Sequence, residues 1–486
     1  MTGIINIGGR REVFWDPELL EEYSAEFRLA EPEKREIVMR CDCPWEGTSC
    51  GYFHAFKDGN TFRMYYRAGD AFAGGELSKK GSICLIESAD GIHWTRPNLG
   101  LIEYGGSRAN NIVMRGDIDN FFIFRDSNPA CPPEEQYKAV AQGVKTKERP
   151  NGGLWGYASA DGLSFTRIRD KPLLEEGYFD SLNTVHWDHL SGLYRLYFRG
   201  FHGGKTGKLR DIRTACSADF IHWEEAVPLN YGAAPEEQLY TNGILPYYRA
   251  PHIKVGFPVR YVERKWEPMF EQLPSPAWRS EKIKRYELRL GTALTDGLFM
   301  TSRDGLRFCR WDEPFLRPGP FRVNNWVYGD CYQSWGLLET PGEDPLGPRE
   351  ISFFAGEDYS CRPVALRRYT VRQDGFAFLG APREQRTVLT KPLVFEGTAL
   401  SLNMSTGAAG FVLVEFLDPE GRPIPNYSGP GAYKLFGDDA DIKALFWRGD
   451  AASEDLSPLA GKPVRLRFTL SEARLYAMQF VHRQPE

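Results

Sequence analysis

The sequence has no hydrophobic run long enough to cross a membrane, and this absence limits the class of protein that we expect. No stretch approaches 18 consecutive apolar residues, which is about the length that a transmembrane helix needs. The first residues, MTGIINIGGRREVFWDP, reach two arginines and a glutamate before a signal-peptide core could form. We therefore expect a cytoplasmic protein without a membrane partner.

An excess of charge of one sign is also missing. The net charge is −5 over 486 residues, the pI is about 6.0, and lysine and arginine are scattered along the chain. Proteins that bind nucleic acid usually carry a clustered basic patch. We therefore expect no DNA or RNA partner.

Cysteine occurs without the pattern of a disulfide framework. The nine cysteines are odd in number and irregularly spaced, which is typical of reduced thiols. Cys41, Cys43 and Cys50 form a cluster, but no second Cys or His pair follows at zinc-ligand spacing. We expect neither a metal ion nor another cofactor.

An internal repeat is the most informative feature that the sequence does contain. Five segments resemble one another: ESADGIHWTR at 87–96, ASADGLSFTR at 158–167, CSADFIHWEE at 216–225, TSRDGLRFCR at 301–310 and VRQDGFAFLG at 371–380. Their aspartates are 58 to 85 residues apart, a spacing that suits a four-stranded sheet with variable loops. In four of the copies an Asp-Gly pair predicts a tight turn between two short strands.

These repeats predict an all-β fold, a five-bladed β-propeller followed by a C-terminal β-sandwich. Upstream of the first copy, GYFHAFKDG, NTFRMYYRAG and SICLIES read as three short strands. The repeat is gone after about Ala381, although short alternating strands continue. We expect the propeller over 1–380 as the catalytic domain and the sandwich over 381–486.

A propeller brings the starts of its inner strands together at one mouth of the central channel. Acidic residues lie beside each predicted start: Glu46, Asp126, Asp180, Glu236 with Glu237, and Asp330. One acid alone is more often solvated than catalytic, but five at one mouth favour a catalytic site.

Five blades followed by a sandwich resemble glycoside hydrolase family 32, and the propeller alone is similar to that of family 43. Family 32 has an Asn-Asp-Pro-Asn-Gly motif where this sequence has Trp45-Glu46-Gly47. Its Arg-Asp-Pro motif matches Arg125-Asp126 in letters, whereas the spacing between motifs favours Asp180. Its Glu-Cys-Pro motif resembles Glu237-Gln238-Leu239 of this chain only in the glutamate.

The resemblance implies a glycosidase that cleaves a furanoside-type bond, fructosyl or arabinosyl, in an oligosaccharide or glycoside. Glu237 is then the expected general acid, Glu46 the nucleophile or base, and Asp180 the stabiliser of the transition state. An edge of the sandwich is available for a homo-oligomer contact. The expected sugar-binding residues are Trp45, Arg125, Asp126, Asn183, His202, Tyr240, Asn242, Trp326 and Asp330.

Two other functions stay open at this point. A polysaccharide lyase or a phosphorylase would use a Tyr, His or Arg cluster in place of the carboxylate pair, and Arg199, Arg210 and Arg213 form one such group. A non-catalytic carbohydrate-binding propeller is the other alternative. It has no need for several acids in one place, because like charges repel one another.

Overall fold

Five short strands precede the first blade. The computed structural model describes residues 3–69, 81–116, 119–203, 208–344, 346–359, 363–448 and 451–482. The opening strands are β1 (Ile5–Gly8), β2 (Arg11–Val13), β3 (Leu20–Tyr23), β4 (Glu26–Leu29) and β5 (Glu33–Arg40).

Three four-stranded antiparallel sheets follow in chain order, and each is one blade. Blade one contains β6 (Gly51–Asp58), β7 (Thr61–Ala68), β8 (Gly81–Ser88) and β9 (Ile112–Gly116). Blade two contains β10 (Asp119–Arg125), β11 (Tyr137–Gln142), β12 (Leu154–Ser159) and β13 (Thr166–Arg167). Blade three contains β14 (Thr184–Asp188), β15 (Leu193–His202), β16 (Leu209–Ser217) and β17 (Val227–Pro228). The three strands predicted for blade one are confirmed as β6, β7 and β8.

Blade four is interrupted by an insertion. The blade begins with β18 (Leu245–Tyr247) and β19 (Ala250–Gly256). The insertion is a hairpin of β20 (Val259–Val262) and β21 (Leu294–Gly297), with helices α1 (Pro276–Arg285) and α2 (Arg289–Thr292) between its strands. The blade then ends with β22 (Met300–Ser302) and β23 (Cys309–Arg310). Within the described ranges, neither helix is long and apolar enough to cross a membrane.

Blade five is completed by the beginning of the chain. Its first three strands are β24 (Leu338–Thr340), β25 (Glu350–Glu357) and β26 (Ala365–Arg372). The fourth is β5, which pairs antiparallel with β26. The ring is therefore closed by hydrogen bonds between two segments that are distant in the sequence.

The first strands of the five blades surround the central channel. β6 contacts β10 and β24, and β14 contacts β10 and β18. We call the end of the channel at which these five strands begin the first mouth, and the end at which they finish the second mouth. The predicted all-β fold with a five-bladed propeller is confirmed.

The repeated segment forms a hydrogen-bonded turn after the third strand of the first four blades. In blade one, Ser88 Oγ donates to Asp90 Oδ1 at 2.9 Å, and Asp90 Oδ1 accepts the N–H groups of Ile92 and His93, both at 2.8 Å. Equivalent bonds are formed by Asp161, Asp219 and Asp304. Gly91 takes a φ of +77° after the aspartate, a conformation that glycine adopts without steric cost. The local chemistry of Ser-x-Asp thus explains the repeat, and in the third copy Phe220 takes the place of the glycine with a φ of +67°.

The fifth copy has another role. It carries Arg372 where the other copies have serine, and its Asp374 side chain is fully buried. The carboxylate accepts hydrogen bonds from Arg11, Tyr247, Arg249 and Asn403. Asp374 therefore joins blade four to the strands that follow the propeller.

The C-terminal strands form mainly one nine-stranded sheet that includes strands from the start of the chain. The strands are β27 (Ala377–Ala381), β28 (Arg386–Thr390), β29 (Leu393–Phe395), β30 (Ala399–Leu417), β31 (Lys434–Leu435), β32 (Asp438–Lys443), β33 (Phe446–Arg448), β34 (Ala451–Ser453) and β35 (Arg465–Val481). The N-terminal β2, β3 and β4 pair with β35, β28 and β27. Residues 11–29 thus belong with this sheet by pairing, whereas β29 pairs with β1 and β33 pairs with β34 outside it. The division into 1–380 and 381–486, and the facing sheets of a sandwich, stay predictions.

Candidate functional site

The structure separates the acidic residues that were expected at one mouth. Asp180, Glu237 and Asp330 precede β14, β18 and β24, and so lie on the side of the first mouth. Asp126 instead follows the end of β10, on the side of the second mouth. The expectation that Asp126 begins an inner strand is therefore wrong, since the strand is the FFIF segment before it.

Asp126 is held by buried partners at the second mouth. Its side chain is fully buried, and it accepts hydrogen bonds from Lys138 Nζ at 2.7 Å and from the Tyr194 hydroxyl at 2.6 Å. Its neighbour Arg125 lies 3.5 Å from Asp58. The Arg-Asp pair is therefore apart from Asp180, and it does not share a sugar pocket with that residue.

Glu46 is enclosed within blade one. It has no exposed surface, and it receives hydrogen bonds from Arg96 at 2.9 Å, from the Cys43 amide at 2.9 Å and from the Tyr66 hydroxyl. Trp45 donates its indole N–H to Asn111. Both carboxylate oxygens of Glu46 accept hydrogen bonds in this arrangement. These contacts do not favour the role of nucleophile, which stays a prediction.

Asp180, Arg199 and Tyr240 form a connected group at the first mouth. Arg199 donates to the Asp180 carboxylate at 3.1 Å and to the Tyr240 carbonyl oxygen at 3.0 Å. Its guanidinium carbon lies 4.3 Å from the centre of the Tyr240 ring. Arg199 is buried, whereas the Asp180 side chain is 47% exposed. Asp180 is therefore the group in this set that a substrate can reach.

Tyr240 is paired with a second tyrosine from the segment before blade five. The Tyr328 hydroxyl donates to the Tyr240 oxygen at 2.6 Å. Burial alone would raise the pKa of Tyr240, but the positive charge of Arg199 and the hydrogen bond from Tyr328 lower it overall. Arg289 lies over the Tyr328 ring at 5.1 Å. These contacts make the Tyr240 phenol easier to deprotonate than an exposed tyrosine, as a general base requires.

Glu237 lies among arginines on the same side of the propeller. It contacts Arg260 at 3.2 Å, and Arg260 also contacts Asp296 at 2.6 Å. The preceding Glu236 accepts a 3.0 Å hydrogen bond from His202. Neither glutamate lies in the isolated apolar pocket that keeps a general acid protonated.

Asn183 and Asn242 differ in how many partners they have. Asn242 bonds to Leu182, Thr184 and Ile244, and so ties blade three to blade four. Asn183 donates to two carbonyl groups of its own loop. Its buried side-chain oxygen has no hydrogen-bond partner among the described residues. Of the two amides, Asn183 is the better candidate for a ligand contact.

Asp330 is buried between blades four and five. It accepts a hydrogen bond from the Val327 amide at 3.3 Å. Burial raises the pKa of Asp330 to about 7, against the opposing effect of Arg322. The nearby Trp326 donates its indole N–H to Gly319. Asp330 is thus an acid that holds its proton near neutral pH, although it has almost no exposed surface.

A group of three possible metal ligands lies around Glu46. Atoms of Asp42, Cys43 and Glu46 are within 4.8 Å of one another. The Glu46 oxygens already accept hydrogen bonds from Arg96 and Tyr66. A cation there would compete with a neighbouring guanidinium charge, so these residues do not fit a metal ion.

Tyrosines are the part of the first mouth that the acidic pattern does not reveal. Tyr52, Tyr332 and Tyr359 line a deep cavity of about 20 Å³ together with Gln333, which is about the space of one water molecule. The ring centre of Tyr332 lies 5.6 Å from that of Tyr240. The segment VYGDCYQSW places Tyr328 and Tyr332 beside Asp330 in the sequence. These tyrosines ahead of the inner strand of blade five were the signal that could have revealed this part of the site.

Comparison with known proteins finds solved structures of similar fold but no matching family. No family model and no curated protein matches the sequence. A β-fructofuranosidase of family GH32 from Bombyx mori superposes with a TM-score of 0.40 at 10% identity, covering 93% of this chain and 95% of that chain.

Two other solved structures belong to proteins with different reactions. An N-acetylgalactosamine deacetylase from F. plautii has a TM-score of 0.43 at 13% identity, and covers 72% of this chain and 96% of its own. A structure from work on glycoside hydrolases of the GH130 family of mannoside phosphorylases, which target β-1,2-mannosidic linkages, has a TM-score of 0.41 at 13% identity, and covers 70% of this chain and 94% of its own. Because all three TM-scores are below 0.5, no activity transfers from these proteins to this chain.

Proposed function

We propose that this chain is a carbohydrate-active enzyme that cleaves a glycosidic bond at the first mouth of the propeller. The observation that carries the proposal is the connected group of Asp180, Arg199 and Tyr240, which joins blade three to the segment that leads into blade four. It places an accessible carboxylate, a fixed positive charge and an activated phenol side by side. Such groups serve proton transfer and the binding of sugar hydroxyls.

Hydrolysis is the first candidate reaction. Asp180 would act as the ionised carboxylate and Glu237 as the proton donor to the leaving oxygen, as two-carboxylate hydrolysis requires. Glu46 takes no part in this hydrolysis because its carboxylate oxygens are buried and hydrogen-bonded. The furanoside class of substrate, fructosyl or arabinosyl, rests on the resemblance to families 32 and 43.

Elimination by a lyase is the second candidate, and the Tyr240 contacts favour it. A phenolate at Tyr240 would take the proton on the carbon next to a uronate carboxylate. The electron pair left behind forms a carbon–carbon double bond, and the glycosidic oxygen leaves from the next carbon with the proton that Tyr240 has removed. Arg199 would neutralise the charge that develops on the carboxylate.

One assay separates the two reactions. The wild-type protein is incubated with nitrophenyl furanosides, the matching pyranosides and uronate-containing polysaccharides. Nitrophenol and reducing ends report cleavage, and ultraviolet absorbance reports an unsaturated product. Hydrolysis predicts a hundredfold loss in Asp180→Asn and Glu237→Gln without unsaturation. Elimination predicts an unsaturated product and a hundredfold loss in Tyr240→Phe.

Matched controls lie beside each variant. Tyr261→Phe makes the same change in a ring that lies 6.0 Å from Tyr240, and Glu236→Gln changes the neighbouring exposed glutamate. Both controls are expected to keep turnover within a few-fold of wild type. Equal activity in the wild type and in Asp180→Asn, Glu237→Gln and Tyr240→Phe would refute the proposed site.

A further inference from the structure

A second cavity lies at the opposite end of the channel. Its volume is about 830 Å³, within the usual range for small-molecule sites. It is formed where the inner strands finish, whereas Asp180 and Tyr240 lie where they begin. Between the two ends, Trp335 packs edge-on against Phe122 at 5.0 Å. A molecule in this cavity would not reach the first mouth.

All five blades contribute apolar side chains to the cavity wall. The rings of Phe56, Trp187 and Tyr248 are partly exposed within it, so their faces are available for stacking. The apolar residues of the wall that belong to the inner strands or directly precede them are Phe56, Phe124, Trp187, Leu245, Trp335 and Leu337. An aromatic wall with few polar groups is typical of a ligand site.

His186 is the polar group in this wall that lacks a partner. It is 5% exposed, and neither ring nitrogen has a hydrogen-bond partner within the described part of the chain. Burial, with the nearby charge of Lys254, lowers the pKa of His186 to about 3. The ring is therefore neutral, with one N–H donor and one acceptor nitrogen. Both nitrogens are buried, so the ring has to turn toward the cavity before a ligand hydroxyl can pair with one of them.

Most charged residues around the cavity are already paired, and Lys57, which has no ion pair among the described residues, lies over the Phe62 ring at 5.8 Å. Arg349 lies 2.6 Å from Glu339, and Arg125 lies 3.5 Å from Asp58. The other carboxylate of the wall, Asp90, accepts hydrogen bonds within its own turn. This arrangement matches a neutral ligand better than a charged one. It also provides no unpaired carboxylate for catalysis among the described lining residues.

We infer that the second mouth binds a neutral sugar ring without cleaving it. The partly exposed rings of Phe56, Trp187 and Tyr248 provide stacking surfaces for the apolar face of the sugar. His186 provides a donor and an acceptor for its hydroxyl groups, which also satisfies a buried polar group that is otherwise unpaired. Such a site would hold one part of a carbohydrate at the second mouth while another part of the carbohydrate lies at the first mouth.

Binding of simple sugars to the whole protein tests this site. Neutral monosaccharides and their methyl glycosides are titrated by calorimetry and by ligand-observed NMR. Wild type is expected to show saturable binding that is at least tenfold weaker in His186→Leu, because the hydroxyl partner is removed. Tyr248→Ala changes an exposed ring at the rim, and is expected to weaken binding by a similar factor while the fold is kept.

Two controls locate the binding. His222→Leu makes the same substitution at an exposed histidine of blade three, and Tyr261→Phe changes a ring near the first mouth that has no part in the proposed reaction. Neither is expected to change the affinity. The inference is overturned if no sugar binds saturably, if affinity is unchanged in both His186→Leu and Tyr248→Ala, or if it falls equally in Tyr261→Phe. Binding of phenol or indole but not of sugars would also overturn the sugar class.

Discussion

Asp374 offers the sharpest test of how the propeller is joined to the C-terminal sheet. Its buried carboxylate accepts hydrogen bonds from Arg11 at 3.0 Å, Arg249 at 2.9 Å, Tyr247 at 2.5 Å and Asn403 at 3.1 Å. Arg11 comes from the start of the chain, and Asn403 from β30. Asp374→Asn keeps the shape of the side chain but removes the charge that pairs with both arginines.

The expected loss of unfolding free energy follows from the burial of Asp374 and of the two arginines that pair with it. Removing one partner of a buried ion pair costs about 3–5 kcal/mol. Arg11 and Arg249 keep 11% and 18% of their side-chain surface exposed, so partial hydration places the loss near the lower value, about 3 kcal/mol. A folded domain has a total stability of only about 5–15 kcal/mol, so the effect is large.

Urea unfolding followed by far-ultraviolet circular dichroism provides the measurement. The Trp15 indole also donates to the Asp374 carbonyl oxygen at 2.8 Å, and this bond is kept in Asp374→Asn because it involves the main chain. The control is Asp304→Asn in the fourth copy of the repeat, where the side chain is 40% exposed. Asparagine keeps the turn acceptor there, and we expect a cost of about 1 kcal/mol or less.

The pH dependence gives an independent check. Burial would raise the pKa of Asp374, but Arg11 and Arg249 lower it below its ordinary value of 3.8. The stabilisation is therefore complete above about pH 4 and is lost as the pH falls below 3.8. The difference between wild type and Asp374→Asn should shrink in that range. A loss at pH 7 no greater than that of Asp304→Asn would refute the reasoning.

Three further predictions concern stability. Glu46→Gln should cost about 3 kcal/mol in urea unfolding, because it removes the charge that pairs with Arg96. Asp330→Asn should stabilise the protein more at pH 8 than at pH 5, by up to about 2–3 kcal/mol, because a pKa raised to about 7 makes the native state lose stability as the pH rises from 3.8 to 7. Ser217→Ala should cost about 1 kcal/mol, because Asp219 loses a donor in its turn.

Each of these predictions has an outcome that contradicts it. Glu36→Gln is the control for Glu46→Gln, since Glu36 pairs with Arg368 at 46% exposure, and equal losses would show that burial does not matter. A constant effect of Asp330→Asn between pH 5 and pH 8 would mean that its carboxyl does not titrate there. No change in unfolding for Ser217→Ala would mean that the serine contributes nothing to the turn.

The repeat could be recognised in the sequence because its cause is local. Ser88 and Asp90 bond within a few residues of one another, so each copy carries its own turn and marks a third strand. The fifth copy also follows the third strand of its blade, β26. It differs from the others because the partners of Asp374 come from distant segments.

The candidate site was only partly predictable. Asp180, Glu237 and Tyr240 precede inner strands, and their side of the channel followed from the strand pattern. Asp126 was misplaced because a strand start and a strand end look alike when the boundary is uncertain by several residues. The pairing of Tyr240 with Tyr328 joins residues that are 88 positions apart, and no local pattern carries that contact.

The sequence by itself determined the all-β class and the number of blades, because alternating strands and Asp-Gly turns depend on interactions between near neighbours. Only the tertiary structure decided which carboxylates are open and which are enclosed. Glu46 and Asp180 read alike as acids before a strand, but one meets Arg96 inside a blade and the other lies at the channel. Burial and charge pairing are properties of the assembled ring, and they set the chemistry of each group.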